Sequence, residues 1–369
     1  MPACNPRGTV RPGSLHNVQS GGGPPHSKTV RISWQVRFTR ERLGLRQSSG
    51  AFGCIYCRHF HLPSCILHPY SLRVRLRKIT IIGVGLLGGS IGLAVKRRKL
   101  VSPGGVTGFV RRVASLKDCE KAGAVDFATT DLLAAVWDAD LVILCSPLAQ
   151  MRPRVRQMLP ALKRGAIVTD VGSVKASVVR ELESLVAQAG AHFVGSHPMA
   201  GAEKTGVGAA SADLFANAIC VVTPTGKSNP AAVRTVERFW KSLGARTLRL
   251  APERHDLFVS RSSHLPHVVA AGLAGYILDP VQTKPQAALC ANGFRYTTRI
   301  ASGSPEMWRD IALANRKNLG RALAGFVSDL KKFQRALAGA DDKAIMSFFE
   351  TAKTRRGRWC ARCASPSSE

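Results

Sequence analysis

Apolar residues between about residues 77 and 250 follow two spacings in turn. Short apolar runs, such as 78–82 and 141–145, predict buried strands, and longer stretches with apolar residues three or four apart, such as 86–99, predict helices. Because strands that alternate with helices form a parallel sheet covered on both faces, this part of the chain predicts an α/β domain of the Rossmann type.

Eight strands are predicted in this domain. Their expected bounds are Lys78–Ile82, Val106–Val110, Ala124–Phe127, Leu141–Cys145, Ala166–Asp170, His192–Gly195, Ala218–Thr223 and Arg246–Leu250. The helices between them are expected at Leu86–Lys99, Val113–Ala122, Leu132–Ala135, Met151–Leu162, Lys175–Ala189 and Ala231–Leu243. In such a sheet, ligands bind beyond the carboxyl ends of the strands, so the loops that follow the strands form the candidate site.

The strand pattern stops after Pro252. Helical spacing at 259–278, 306–323, 323–337 and 345–354 predicts a mostly helical second domain, which we place at residues 251–355.

Two terminal segments lack periodicity. Residues 1–76 are rich in Gly, Pro, Ser and Arg, and we predict either a disordered extension or translated sequence upstream of the natural start. An Arg- and Ser-rich, acid-poor composition also occurs in organellar transit peptides, but this segment shows no amphipathic helix. Residues 356–369 are predicted to be a disordered tail.

The first strand leads directly into a G-x-G-x-x-G sequence. Gly83 is expected to make the turn, Gly85 to let backbone approach a pyrophosphate, and Gly88 to let the helix pack close to the strand. The helix then starts at Leu86 and Leu87, where free N–H groups and the positive end of the helix dipole can bind phosphate. The alternative is a glycine-rich turn with no ligand, but strand and helix on either side favour a dinucleotide site.

The loops after three later strands add candidate residues. Ser146 and Pro147 follow the fourth predicted strand, Asp170 ends the fifth, and all three are expected to face the dinucleotide. His197 follows the sixth strand. Because an imidazole titrates near neutrality, it can take a proton from a hydroxyl while a hydride leaves the carbon. The alternative for His197 is a turn or capping histidine.

Ser173 follows Asp170 in the same loop. Its hydroxyl can orient the imidazole of His197 or cap the helix that starts near Lys175, and the two roles are compatible.

The helical part carries two polar segments, 263–267 and 293–301. His264 and His267 are three residues apart and therefore lie on one side of a helix. They would suit a metal, but no third ligand has suitable spacing, and we predict no metal site. Contacts to an anionic substrate fit better, with Arg295 nearby and with Arg299 as a buried bidentate partner for a carboxylate.

The chain is strongly basic, with a net charge of +30. This charge invites a nucleic-acid hypothesis, but the basic residues are scattered along helices without the interleaved aromatic residues of a stacking platform. Anionic substrates and cofactors explain the positive field better. No apolar run is long enough for a transmembrane helix, and we expect no membrane partner.

The ten cysteines do not form an obvious disulfide framework. Single cysteines in apolar segments predict small core residues in a reducing compartment, which we take to be the cytoplasm. The group Cys54, Cys57, Cys65 and His68 has the residue types of a zinc site, but the gap between its pairs is short and no helix or strand frames it. Whether it binds zinc stays open.

The end of the second predicted strand bears on cofactor choice. Domains that prefer NAD place an acid there to bind the ribose hydroxyls. Here Val110 occupies that place, and Arg111 and Arg112 follow and can pair with a 2′-phosphate. We therefore expect NADP in preference to NAD, or the use of both. The alternative is that these arginines only begin the next helix in solvent.

The chain resembles the prephenate dehydrogenase family, also called cyclohexadienyl or arogenate dehydrogenases. The resemblance covers about residues 78–335. It is carried by the motifs GVGLLGGS, DVGSVK, GSHPMAGAEKTG, SSHLPH, GFRYTTRIA and PEMWRDI, which stand in this order. It implies a Rossmann-type domain followed by a helical dimerisation domain, a homodimer, and an active site between the domains.

The resemblance also implies an activity, the oxidative decarboxylation of prephenate or arogenate in tyrosine biosynthesis. In this scheme His197 accepts the proton of the ring hydroxyl, and Ser173 hydrogen-bonds that histidine and touches the cofactor. Arg299 binds a substrate carboxylate, His264 and His267 line the pocket, and the remaining implied pocket residues are Glu203 and Trp308.

One residue departs from the family pattern. Tyr296 stands where an aspartate is expected, close to Arg299, so the loop that holds this arginine or the substrate preference can differ. The choice between prephenate and arogenate is not decided by the sequence.

Two rival functions remain. A β-hydroxyacid dehydrogenase would need a catalytic lysine on the interdomain helix, and it would leave His197 and the SHLPH motif unexplained. The other rival is a non-catalytic protein that binds the cofactor or acts as a basic interaction protein.

Overall fold

Residues 76–202, 204–279 and 284–364 are described by a computed structural model of the chain, and they fall in one compact unit. We refer to residues 76–250 as the sheet domain and to the described residues from 251 to 364 as the helical domain. The predicted extension at 1–76 and the Cys54, Cys57, Cys65 and His68 group lie outside the described residues, apart from residue 76.

A sheet of eight strands forms the centre of the sheet domain. Its order is β3-β2-β1-β4-β5-β6-β7-β8, and all neighbours are parallel except β6 and β7. The strands are β1 Ile79–Ile82, β2 Val106–Phe109, β3 Phe127–Thr129, β4 Leu141–Leu144, β5 Ile167–Asp170, β6 His192–Pro198, β7 Ile219–Thr223 and β8 Arg246–Arg249. The order reverses between β1 and β4, where such sheets bind their ligands. The predicted Rossmann architecture is confirmed.

Helices cover both faces of the sheet. They are α1 Leu86–Arg97, α2 Ala114–Lys121, α3 Leu132–Val136, α4 Leu148–Met158, α5 Ala176–Ala187 and α6 Pro230–Ser242. Strand side chains alternate between two apolar cores, so Ile81 packs into one and Ile82 into the other. This burial on both faces explains why the strands are continuous apolar runs.

The described part of the helical domain contains no strand. Its helices are α7 Pro252–Val259, α8 Leu265–Ile277, α9 Lys284–Ala288, α10 Asn292–Thr298, α11 Pro305–Ala314, α12 Arg316–Ala338 and α13 Asp342–Ala364. A π-helical turn, Ser260–His264, joins α7 to α8, and a 3₁₀ turn, Arg299–Ser302, follows α10. The predicted helical character of this domain is confirmed.

Several predicted element boundaries are wrong. Strand β6 runs on to Pro198, because residues 195–198 pair with the antiparallel strand β7, a partner that local periodicity does not indicate. Strand β3 starts only at Phe127. The helix expected over 306–323 breaks at Asn315, whose buried side chain bonds to other elements. The tail predicted to be disordered from 356 continues α13 as far as Ala364.

Candidate active site

The turn between β1 and α1 has the geometry expected of a phosphate cradle. Gly83 has a φ of +100°, which favours glycine. A Cβ on Gly88 would lie 2.2 Å from the carbonyl oxygen of Gly83, whereas a Cβ on Gly85 would meet nothing within 4 Å. The turn therefore holds α1 tightly against β1 and stays open at Gly85.

The start of α1 carries no side-chain cap. Gly85 is the N-cap residue, and Leu86 and Leu87 follow it, both half-buried. Because the first N–H groups of a helix lack intrahelical partners, they are available to phosphate oxygens. Ser146, whose backbone adjoins Gly83, has a buried Oγ without a hydrogen-bond partner among the described residues, and Pro147 beside it is exposed. These groups fit a dinucleotide.

Asp170 lies beneath this region and does not face the cofactor as predicted. It is fully buried and forms an ion pair with Lys175 Nζ. Its carboxylate also accepts hydrogen bonds from Gly172 N at 2.8 Å and Ser196 N at 3.1 Å. With both oxygens occupied, Asp170 supports the loops around the site, because a buried charge must be paired.

The predicted ribose-binding position lies at the end of β2. Val110 is buried, and its N–H donates to the carbonyl of Thr129 at 3.0 Å. Arg111 and Arg112 are exposed, and neither side chain has a hydrogen bond or ion pair within the described part of the chain. Two guanidinium groups are therefore available next to the position where an acid is usual.

His197 lies within β6 and pairs with Val221 of β7. The residue is buried, with 7% of its surface exposed, and its Nδ1 is 2.9 Å from Nε2 of His255. Burial lowers the pKa of His197 well below its usual value, and the neighbouring His255, Lys175 and His264 lower it further. His197 Nε2 forms no hydrogen bond to a described residue.

A chain of close polar contacts extends from His197 through His255 to Asp256. His255 Nδ1 is 2.8 Å from Asp256 Oδ1. The Asp256 carboxylate accepts hydrogen bonds from Lys175 N at 2.7 Å and Ala176 N at 2.9 Å, at the start of α5. The predicted capping role of Ser173 is therefore wrong, because Asp256 caps α5 from the other domain. The ring of His197 bonds to His255, and no bond to Ser173 occurs among the described residues.

Sequence reasoning missed His255 and Asp256. Pro252 and Glu253 form a helix-start signal that could have placed them on α7, since Pro is favoured in the first turn and Glu complements the dipole. That signal does not tell which polar residues of the helix are buried, and the partners of both residues are far away in the chain.

The helical domain provides a wall of aromatic rings. His264 ends the π-helical turn and is buried, and His267 lies one turn further in α8. Trp308 of α11 stacks on His267, with ring centroids 3.8 Å apart, and meets His264 edge to face at 6.1 Å. The three predicted pocket residues are therefore together. A π-helical turn at such a place is a frequent feature of functional sites.

His264 is held in one tautomer. Asn315 donates to its Nδ1 at 3.3 Å, so the proton of the neutral ring is on Nε2, which is buried beside the backbone of Ser173. Burial is the main reason that the pKa of His264 is lowered to about 4.

The predicted arginines are at the surface of the single chain. Arg299 lies in the 3₁₀ turn that packs on α8, and its side chain is exposed, which corrects the expectation that it is buried. Arg295 and Tyr296 of α10 are exposed as well. The tyrosine that stands in place of the expected aspartate is therefore not buried. Glu203 lies outside the described residues.

The described residues contain neither a metal-binding cluster nor a membrane-spanning helix. No group of three or more His, Cys, Asp or Glu side chains is arranged to hold a metal ion. No described helix combines the length and the apolar character needed to cross a membrane.

Family models match both domains. The model "Prephenate dehydrogenase, nucleotide-binding domain" matches residues 91–249, and "Prephenate dehydrogenase, dimerization domain" matches residues 251–353. Cyclohexadienyl dehydrogenase of Zymomonas mobilis is 34% identical over 76% of this chain and 95% of its own length. Prephenate dehydrogenase of Bacillus subtilis is also 34% identical, over 75% of each protein.

Solved structures agree with these similarities. The crystal structure of prephenate dehydrogenase from Aquifex aeolicus in complex with hydroxyphenyl propionate and NAD+ has a TM-score of 0.69 and 30% identity, and the match covers 76% of this chain and 98% of that one. Arogenate dehydrogenase from Synechocystis has a TM-score of 0.63 and 28% identity, and the match covers 76% of this chain and 99% of that one.

Acid should destabilise the protein through its buried histidines. The pKa values of His197, His255, His264 and His267 are lowered by burial, whereas in the unfolded chain these rings titrate near 6.5. Below about pH 6.5 the unfolded chain thus binds more protons, and the unfolding free energy falls as the pH drops towards the folded pKa values. For His264 this loss continues to about pH 4 and reaches roughly 3 kcal/mol.

Urea unfolding at about pH 7.5, 6 and 5 measures this dependence. His264→Asn removes one titrating ring, so its unfolding free energy should vary less with pH than that of the wild type. Equal pH dependence in both proteins would show that His264 is not held neutral by the fold.

Proposed function

The chain belongs to the prephenate dehydrogenase family, and we propose that it converts prephenate to 4-hydroxyphenylpyruvate by oxidation and decarboxylation. The observation that carries this proposal is His197, an imidazole that burial keeps neutral and whose Nε2 forms no hydrogen bond to a described residue. It lies at the carboxyl end of β6, and the glycine turn of α1 lies at the carboxyl end of β1, on the same edge of the sheet. Base and cofactor site therefore share that edge.

His197 acts as the general base. When bound, the oxidised nicotinamide supplies the acceptor for a hydride. The hydroxyl O–H bond of the substrate breaks and its proton goes to His197 Nε2, while the C–H bond of the same ring carbon gives up its hydride and the oxygen becomes a carbonyl. The bond from the ring to its carboxylate then breaks, carbon dioxide leaves, and the bonding electron pair makes the ring aromatic. The phenolate oxygen takes the proton back from His197, so the base is restored. The main tasks of the protein are therefore to place the base and to hold the two substrate carboxylates.

The helical domain supplies groups for these carboxylates. His264 adds a buried Nε2–H beside the backbone of Ser173, and Trp308 supports both histidines of the wall. Arg299 and Arg295 add positive charge next to α8. We assign Ser173, half-buried in the loop before α5, to the edge of the cofactor site, and Glu203 to the border of the substrate pocket.

NADP+ is the preferred cofactor in this proposal, and NAD+ is also accepted. The support is Val110 in place of an acid and the two exposed guanidinium groups of Arg111 and Arg112 beside it. A 2′-phosphate can pair with either arginine in a charge-assisted contact, and no carboxylate at Val110 repels it.

A homodimer is the working unit of the proposed enzyme. Helix α8 is apolar, yet Ala270 is its only fully buried residue, and Tyr276 is 71% exposed. Further apolar side chains of the helical domain are exposed, among them Leu289, Leu313 and Leu337. Because a soluble protein rarely leaves so much apolar surface uncovered, a second copy is the natural cover for the domain whose family model is named for dimerisation.

His197→Asn tests the proposed activity. Asn can replace the Nδ1–H donor to His255 but has no group in place of Nε2, so kcat with prephenate should fall about 10²–10⁴-fold while the cofactor Kd stays unchanged. The measurement is steady-state formation of reduced nicotinamide with prephenate and with arogenate, each with both cofactors. A wild type that binds cofactor and oxidises neither substrate would favour the non-catalytic alternative, and a higher kcat/KM for arogenate would reassign the substrate.

Replacing Arg111 and Arg112 together by Ser tests the cofactor preference. Loss of charge-assisted contacts to the 2′-phosphate should lower kcat/KM for NADP+ tenfold or more, by about 1.5–3 kcal/mol, and leave the value for NAD+ nearly unchanged. Arg246→Ser, at the opposite edge of the sheet, is the matched control. An unchanged ratio of the two values would refute the assignment.

Light scattering after size exclusion tests the dimer. The wild type should have twice the mass of the 39.6 kDa chain. Tyr276→Asp should shift it towards the monomer, because the charge would be buried at the interface. Trp137→Asp, which changes a side chain that is 70% exposed in the sheet domain, should have no effect. A monomeric wild type, or equal effects of the two changes, would contradict the proposal.

A further inference from the structure

We propose that His255 and Asp256 are positioning residues that hold His197 in the tautomer with its proton on Nδ1 and a free electron pair on Nε2. This inference rests on the proposed function, because it concerns how the base of that reaction is prepared. It adds two residues of α7 that touch neither the substrate nor the cofactor in the proposed scheme.

The Asp256 carboxylate fixes the direction of the chain of hydrogen bonds. Both of its oxygens accept backbone N–H groups, from Lys175 at 2.7 Å and from Ala176 at 2.9 Å. These are the first N–H groups of α5, where the positive end of the helix dipole also favours the ionised carboxylate. An ionised carboxylate only accepts hydrogen bonds, so its third partner must be a donor.

That third partner is His255. Its Nδ1 is 2.8 Å from Asp256 Oδ1 and therefore carries a proton. The ring is fully buried and burial lowers its pKa, so it is neutral at pH 7 and its Nε2 has no proton. The 2.9 Å contact between His255 Nε2 and His197 Nδ1 then requires that His197 donates. In neutral His197 the remaining nitrogen, Nε2, is the base.

The same contacts hold the two rings in place. The rings meet edge to face, with centroids 5.1 Å apart and an angle of 71° between their planes. The N–H of His255 donates to the carbonyl of Ala251 at 2.9 Å, and Asn315, between α11 and α12, donates to the carbonyl of Asp256 at 2.8 Å. Neither His255 nor Asp256 can turn without breaking bonds to other elements.

A charged His197 has a route to the Asp256 carboxylate. Burial and the neighbouring His255, Lys175 and His264 all disfavour the charged ring. When Nε2 takes the substrate proton, the positive charge of the ring is shared through the Nδ1–H bond with His255, whose own Nδ1–H points at the carboxylate. One O–H bond breaks and one N–H bond forms, and no proton moves beyond His197.

The tautomer can be observed without substrate. Long-range ¹H–¹⁵N spectra of the ¹⁵N-histidine-labelled full chain distinguish protonated from unprotonated ring nitrogens, and His197→Asn identifies the signals of His197. We expect a protonated Nδ1 and an unprotonated Nε2 at neutral pH in the wild type. A proton on Nε2 would overturn the proposal, whatever the activity of the protein.

Variants test the effect on the reaction. His255→Phe removes the acceptor of the Nδ1–H and keeps a ring in the buried space, so His197 should become a mixture of tautomers. We expect kcat to fall about 10²-fold, the size of effect that misplacement of a reacting group can have, with KM within about threefold of the wild type. His255→Gln keeps an amide that can accept the bond, and it should retain more activity than His255→Phe.

Two controls separate positioning from a structural role. His192→Phe changes a half-buried histidine at the start of the same strand and should leave kcat unchanged. Combined with His197→Asn, His255→Phe should cost no further activity, because the residue acts only through His197. An additive loss in the double variant, or an unchanged kcat in a folded His255→Phe, would refute the proposal. A wild type without turnover but with the expected tautomer would refute the proposed function alone.

Discussion

The contact between the Asp256 carboxylate and the first N–H groups of α5 is the interaction on which the site depends. It joins the helical domain to the loop that follows β5, at the edge of the sheet where the glycine turn opens. A helix start needs acceptors for its free N–H groups, and a buried carboxylate needs donors. Each group satisfies the other, so α7 is held at a fixed place relative to the sheet, and with it His255, His264 and Asn315.

A second buried pair keeps the sheet edge rigid beneath the site. Lys175 and Asp170 are both fully buried, and Lys175 Nζ also donates to the carbonyl of Ser196 at 2.9 Å. Burial lowers the pKa of Lys175, while the attraction of Asp170 opposes this shift. Because two charges without water are costly, such a pair is retained only where its hydrogen bonds are complete. Here they tie the ends of β5 and β6 together, next to His197.

Features that depend on neighbours in the chain could be predicted from the sequence. Gly83, Gly85 and Gly88, and the buried strands of the parallel sheet, follow from residue types within a few positions of one another. Features that depend on distant partners could not. Asp256 caps a helix that lies 80 residues earlier, and His197 bonds to a ring 58 residues later. Ser173 was a reasonable local candidate for both roles, but the long-range partners occupy them.

A local sequence pattern also does not predict whether a charged side chain is exposed or buried. Asp170 and Arg299 both belong to motifs expected to contact ligands, yet one is fully buried in a pair and the other lies on the surface of a single chain. A charged residue such as Asp170 can be buried only where a partner of opposite charge is near it in space, and such a partner can come from any element.

The net charge of the chain and the charge inside the site differ. The surface is strongly basic, whereas the described interior of the site contains histidines that burial keeps neutral. In the proposed enzyme, a positive field at the surface attracts anionic substrate and cofactor without adding protons to the base. A cationic ring at His197 could not accept a proton. The proposed reaction therefore divides the two tasks between the exposed Arg111, Arg112 and Arg299 and the buried, neutral imidazole of His197.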